Sequence, residues 1–271
     1  MGKISDALER QQNERAIETK MLHPEPGTQY PETNLQKPVS SFQDSFDPKL
    51  FTYTAPGSLE AENFKVLRGQ ILFRKDGSRP RTILVTSALP NEGKTFVASN
   101  LAVSIAQGVN EHVLVVDCDF SRPHLHNMFG YTNQEGLQEY LTRKKELPDL
   151  LIRTKIDKLS LLTAGGPVQS SSELLSSSRM KAFFEEVKGR YDDRYIIVDC
   201  SPSHLFAGVS VLSNYVDGII FVVMAERSPR GIIKDCIEKL GKENILGIVF
   251  NGHDKLNKNY GIYYKKYYKG E

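Results

Sequence analysis

Six short runs of almost unbroken apolar residues, many of them β-branched, punctuate the middle of the chain. They are RTILVTS (81–87), HVLVVDC (112–118), LSLLTAG (159–165), YIIVDC (195–200), DGIIFVVMA (217–225) and ILGIVFN (245–251). Runs of this length without polar alternation are expected of strands covered on both faces, as in a parallel sheet. Helical segments lie between most of them, notably 95–107, 179–189 and 229–242. Ahead of the first run, Ser58 followed by Glu60, Ala61 and Glu62 reads as an N-cap with acids in the first turn, opening a helix to about residue 74. Strand and helix alternation at this spacing predicts a doubly wound, mainly parallel α/β domain over 58–252.

The flanks read differently. Residues 1–20 have helix-forming composition with Ile4 and Leu8 one turn apart, which predicts a weakly amphipathic N-terminal helix. Between 21 and 57 stand six of the thirteen prolines among Ser, Thr, Asn and Gln, a composition that opposes helix and sheet alike and predicts a linker. Residues 253–271 are polar and basic, with too few aliphatic positions for another packed layer, and are expected to form a mobile tail. At 271 residues and 39% hydrophobic content, the chain has enough apolar material for one large domain with appendages. Its longest apolar stretch, 219–225, falls far short of the roughly 20 residues of a membrane-spanning helix, and residues 1–20 have no apolar signal-peptide centre. A cytoplasmic location is therefore expected. Cys118, Cys200 and Cys236 lie in or beside apolar segments with no Cys-x-x-Cys pair, which argues for buried thiols rather than zinc, iron–sulfur or redox chemistry. A net charge of only +2 excludes a general polyanion binder, and no nucleic-acid partner is expected.

Candidate chemistry concentrates where the strands end. RTILVTS runs into ALPNEGKT and then an apolar helix, the strand–loop–helix context of a Walker A motif. Successive N–H groups wrapping onto a helix N-terminus make a positive concavity suited to phosphate oxygens. Pro90, Asn91, Glu92, Gly93, Lys94, Thr95 and Phe96 are thus candidate nucleotide-binding residues. Gly93 permits close approach, Lys94 can neutralise the β and γ phosphates, and Thr95 can offer its hydroxyl to magnesium. Ala88 stands where such loops usually begin with glycine, so the loop entry must accept a β-carbon. The second strand ends in VLVVDCDFSRP, delivering Asp117 and Asp119 with Arg122 close behind, and YIIVDCSP delivers Asp199. All of them reach the carboxyl edge of the sheet, where ligands of open α/β folds bind. Three carboxylates beside a phosphate loop suggest magnesium bound through oxygens and waters, with Thr95, Asp117 and Asp199 as candidate ligands. For each aspartate alone, a helix cap or strand-end turn is the alternative.

ALPNEGKT, the second Walker motif DCDFSR and the Walker B run VDCSP, closed by a tyrosine cluster, resemble the bacterial tyrosine kinases over roughly residues 58–268. The resemblance implies a P-loop fold of the positioning-ATPase type, and the chain has none of the His-Arg-Asp or Asp-Phe-Gly elements of eukaryotic protein kinases. It implies ATP and Mg2+ as cofactors: Lys94 and Thr95 hold phosphate and magnesium, Asp199 organises metal and water, Asp117 or Asp119 activates the incoming tyrosine hydroxyl, and Arg122 orients the phosphates. Asn251, at the end of the last strand, reads adenine on this resemblance, with a plain turn residue as an equal alternative. The family's Glu-x-x-Arg-x-x-Arg helix pairs subunits in a ring; Glu62, Lys65 and Arg68 occupy those positions, with Lys65 replacing the first arginine. The opening MGKISDALER resembles stand-alone kinases encoded with exopolysaccharide export systems. That implies a separate membrane activator of the chain-length-determinant type, recruiting the chain to the inner face of the membrane.

Tyr260, Tyr263, Tyr264, Tyr267 and Tyr268 fall within nine residues, interleaved with Lys265 and Lys266. The resemblance implies that they are phosphoacceptors, modified in trans. From His253 onward five lysines face two acids, a formal +3. Since each phosphate adds about 1.5 to 2 negative charges, two or three of them reverse that sign. Two other readings share the motifs. A positioning ATPase is one, against which stand the tyrosine cluster and Leu89, where that group carries a signature lysine. A nucleotide-gated adaptor that binds ATP and transfers nothing is the other, and only a phosphate-transfer assay separates it.

Overall fold

The computed structural model of the protein describes residues 42–252, apart from 44, 169 and 191–193. The predicted N-terminal helix (1–20), the linker up to residue 41 and the five tail tyrosines lie outside the described residues.

All six predicted strands form, most of them trimmed by a residue or more, with β5 starting one residue earlier than expected and β7 matching its run: β1 (Thr82–Ser87), β2 (His112–Asp117), β4 (Leu159–Leu162), β5 (Arg194–Asp199), β6 (Gly218–Met224) and β7 (Ile245–Asn251). A two-residue strand, β3 (Ile152–Arg153), was not legible in the pattern and pairs antiparallel with β4. The sheet order is β3-β4-β2-β5-β1-β6-β7, parallel throughout except at β3. Each run sends alternate side chains into two separate cores. Leu84, Leu114, Val198 and Phe221 face one; Val85, Val115, Ile197 and Val222 face the other. With both faces covered, the middle of each central strand is apolar and polar residues such as Thr86, Ser87, Asp117 and Asp199 fall toward its end, which is why the runs read as continuous.

The first core is closed by helices that include α8 (Ser178–Arg190), α9 (Gly208–Leu212) and α10 (Arg230–Leu240). The second is closed by α2 (Leu59–Leu72), α3 (Lys94–Ala106) and α4 (Leu125–Met128). Helices α5 (Leu137–Leu141), α6 (Leu147–Leu150) and α7 (Ser171–Leu175) complete the order. Helix α2 begins as predicted, with Ser58 Oγ accepting from Ala61 N and Glu60 and Glu62 in its first turn. Helix α3 is buried from Val97 to Ala106, because it lies between the sheet and α2.

Three expectations are corrected. Residues 159–165 were expected to be all strand, but β4 stops at Leu162, because the Thr163 and Ala164 carbonyls turn to accept Leu137 N and Gln138 N at the start of α5. The run 245–251 was expected to be buried on both faces, yet β7 is an edge strand on which Ile248 and Phe250 are exposed. The linker was expected to run to residue 57, but the chain is packed well before that. Leu50 is fully buried, and a short helix, α1 (Phe51–Thr54), follows it. The fastener is Asn100 of α3, whose amide oxygen accepts from Thr52 N and Oγ1 while its nitrogen donates to the Lys49 carbonyl. Asn100, helped by Gln107 Nε2 donating to the Thr52 carbonyl, thus anchors a segment whose composition reads as loop.

Candidate nucleotide and phosphoryl-transfer site

The loop between β1 and α3 sits at the centre of the carboxyl edge, with β5 on one side of β1 and β6 on the other. Ala88 is fully buried in the first core, which is how the loop entry accommodates its β-carbon. Asn91 (φ +62°) and Gly93 (φ +93°) take left-handed backbone conformations. Glycine is required at 93 on a second count, since a β-carbon there would run into the Asn251 side-chain amide.

Beside this loop lies a cleft of about 540 Å³. Gly93, Lys94, Thr95, Asp119 and Arg122 line its polar side, while Met128, Pro202, Leu205 and Phe206 form an apolar one. Asp47 and Lys49, from the segment held by Asn100, also reach it. The Lys94 ammonium stands 3.1 Å from Asp119 Oδ2. Burial works against its charge, but the Asp199 and Asp119 carboxylates outweigh that cost and raise its pKa. The other Asp119 oxygen accepts from Ser201 Oγ (2.8 Å) and Arg122 N (3.1 Å). Ser201 was not singled out from the sequence; its position two residues past Asp199, ahead of Pro202, is the only hint the pattern offers.

The three aspartates divide sharply. Asp117 and Asp199 are register partners on adjacent strands, and both are fully buried. Asp117 spends its oxygens on backbone: Oδ1 accepts from Asp119 N (3.0 Å) and Oδ2 from His124 N (3.2 Å) and Leu125 N (3.1 Å). Burial and the adjacent Asp199 charge raise its pKa well above the carboxylate range, against the pull of those N–H groups. It does not line the cleft, so it serves the strand-end turn and the start of α4, the alternative that each aspartate carried. Asp199 is the reverse case. Neither of its oxygens has a hydrogen-bond partner of normal geometry. Burial lifts its pKa to about 7, with the Lys94 ammonium and the Thr95 hydroxyl opposing the shift. Among the described residues no cluster of three or more His, Cys, Asp or Glu side chains makes a ready-made metal cage. A cation here would need oxygens from a bound phosphate as well.

Asn251, read either as an adenine contact or as a turn residue, is engaged at both ends of its amide. Its Nδ2 donates to the Glu92 carbonyl (2.9 Å) and its Oδ1 accepts from Gly252 N (3.0 Å), so both ends of the amide hold the loop and the strand end. On α2, Lys65 pairs with Glu62 at 2.5 Å one turn away, and Arg68 donates to the Ser104 carbonyl of α3 at 2.6 Å. All three residues have partners within their own chain. The three cysteines are free and buried, as expected.

A family model described as an AAA domain matches residues 81–244, which span the loop and all three aspartates. The tyrosine-protein kinase YwqD of Bacillus subtilis is 33% identical over 214 residues, covering 78% of this chain and 89% of that one. The chain belongs to the bacterial tyrosine kinases. Among solved structures, the chimerical protein CapA2B2 superposes with a TM-score of 0.71 at 29% identity, over 81% of this kinase-family chain and 95% of that one. The succinoglycan biosynthesis transport protein ExoP of Rhizobium meliloti is 30% identical over 78% of this chain, which spans only 29% of that longer relative. Among the described residues no helix is long and apolar enough to cross a membrane.

Proposed function

We propose that this family member is an ATP- and magnesium-dependent protein-tyrosine kinase that phosphorylates the tyrosine cluster at its own C-terminus, in trans, and so regulates exopolysaccharide synthesis or export. The observation that carries the reading is the pairing of Lys94 with Asp119 at the polar wall of the cleft, with the unpartnered Asp199 buried behind them. Loop N–H groups and Lys94 bind the phosphates, and Arg122, exposed at the rim, orients them. Asp199 and Thr95 fit magnesium, because two buried carboxylate oxygens without partners beside a hydroxyl form an acceptor set that needs a cation. When bound, the ion supplies charge neutralisation to the phosphate oxygens. Asp119, the aspartate that reaches the cleft, takes the proton of the tyrosine hydroxyl. The phenolic oxygen bonds to the γ-phosphorus as its bond to the β–γ bridging oxygen breaks, leaving ADP. Such a transfer needs chiefly alignment and charge neutralisation, which one lysine, one metal and carboxylates supply.

Two further parts of the reading rest on the family. The relative ExoP is named for succinoglycan biosynthesis and transport, and the longer relative holds the matching region within less than a third of its length. A membrane protein of the chain-length-determinant type is the activator proposed to recruit this kinase to the inner face of the membrane. Subunits would associate so that one tail enters a neighbour's cleft, and phosphates added there would reverse the tail's formal +3 charge. The test is intact-mass spectrometry after incubation with ATP and magnesium, beside Lys94→Met. Mass gain in steps of one phosphate in the unmodified chain alone supports a kinase. Equal mass for both, with ADP still bound by the unmodified chain, would favour the adaptor.

A further inference from the structure

Glu92 stands immediately before Gly93 in the phosphate loop, with exposed Asn91 on one side and cleft-lining Gly93 on the other, yet it is fully buried. The left-handed turns at Asn91 and Gly93 rotate it inward, away from the cleft. There its carboxylate meets three donors: Oε2 accepts from Leu89 N at 2.6 Å, while Oε1 accepts from Met224 N at 3.2 Å and, in a short contact, from Ser228 Oγ. Its backbone carbonyl accepts from Asn251 Nδ2, and Ala225 N donates to the Asn251 carbonyl. The phosphate loop, the exit of β6 and the exit of β7 are thereby one hydrogen-bonded unit with Glu92 at its hub. A buried carboxylate is costly unless its oxygens are satisfied, and no smaller or neutral side chain satisfies these donors equally. An amide in its place would direct an N–H either at Leu89 N–H or at Met224 N–H.

We propose that Glu92 is a positioning residue that fastens the phosphate loop to residues 224–228, so that nucleotide held by the loop is sensed at the turn following β6. Its carboxylate acts through the loop, facing away from the cleft. The proposal rests on the nucleotide-binding reading of the loop, and the experiment separates the two. ADP with magnesium is titrated calorimetrically into the full chain, and amide exchange is followed by mass spectrometry with and without saturating ADP. In the unmodified chain ADP slows exchange both in the loop and at 224–228. Glu92→Gln weakens ADP binding about tenfold. At saturating ADP it keeps protection in the loop but loses it at 224–228. A residue that merely filled space would lower the melting temperature without splitting the two protections. Equal protection at 224–228 in both chains, or ADP affinity within twofold, would overturn the proposal. No ADP binding by the unmodified chain would overturn the nucleotide reading and this one with it. Should Glu92→Gln fail to fold, Ser228→Ala decides: reduced ADP-dependent protection at 224–228 supports the link, and unchanged protection refutes it.

Discussion

At the scale of single residues, the site is organised by what each aspartate is left to do. Asp119 shares its oxygens between Lys94 and Ser201, Asp117 is consumed by backbone N–H groups, and Asp199 is buried with no hydrogen-bond partner of normal geometry. Burying more carboxylates than cations costs stability. Asp199→Asn removes a buried carboxylate whose burial cost outweighs what Lys94 and Thr95 return, while Lys94 keeps Asp119, so the nucleotide-free chain is expected to gain about 1–3 kcal/mol in urea unfolding. The same variant is expected to lose phosphate transfer. A loss of stability together with retained transfer would show that Asp199 is structural. The motifs made these residue types legible in the sequence, but their division of labour was not, because it depends on which side chain faces the cleft and which faces the strand-end turn.

At the scale of elements, two fastenings were invisible to any pattern. Asn100 lies within an apolar helix, where a polar residue carries no signal of its distant partner near residue 50. Asn100→Ala is expected to cost about 1–3 kcal/mol, from donors and acceptors left unpaired in a buried place. Faster amide exchange at 49–52 would locate the damage, and unchanged exchange there would contradict the assignment. Asp217, just ahead of β6, accepts from Arg81 N, Thr82 N and the Lys188 ammonium, pinning the entry of β1. Burial pushes its pKa up, but Lys188 and the two backbone N–H groups outweigh that and leave it lowered. The unfolded chain therefore takes up the proton first as pH falls. The stabilisation is fully present above the ordinary aspartate value of about 4 and is lost below it, as pH passes through the lowered folded value. Asp217 and Lys188 are both more than a third exposed, so Asp217→Asn should destabilise the chain by only about 0.5–1 kcal/mol at pH 7, and the gap from the unmodified chain should close in acid. A gap independent of pH would contradict this. The strands themselves were legible because burial on both faces writes a continuous run. The edge position of β7 was not, since ILGIVFN reads like a central strand until its neighbours are known.

At the scale of the whole molecule, fold, loop and carboxylates converge on one edge of the sheet, and family membership supports the proposal that this edge transfers phosphate to tyrosine. The tail that would receive the phosphate, and the association that would present it to a neighbour, were read from residue types alone. Clustered tyrosines name an acceptor without saying which chain's cleft they enter. The most direct measurement is therefore a mixing experiment. Chains carrying Lys94→Met but an intact tail are labelled with heavy nitrogen. They are mixed with unlabelled chains whose five tail tyrosines are phenylalanine and whose Lys94 is intact, and ATP and magnesium are added. Intact-mass and peptide spectrometry then show where phosphate resides. Phosphate on the labelled chains, mapped among Tyr260 to Tyr268 and absent when either partner is omitted, is the predicted result. No phosphate on the labelled tail, when the unmodified chain alone also gains none, would contradict the account.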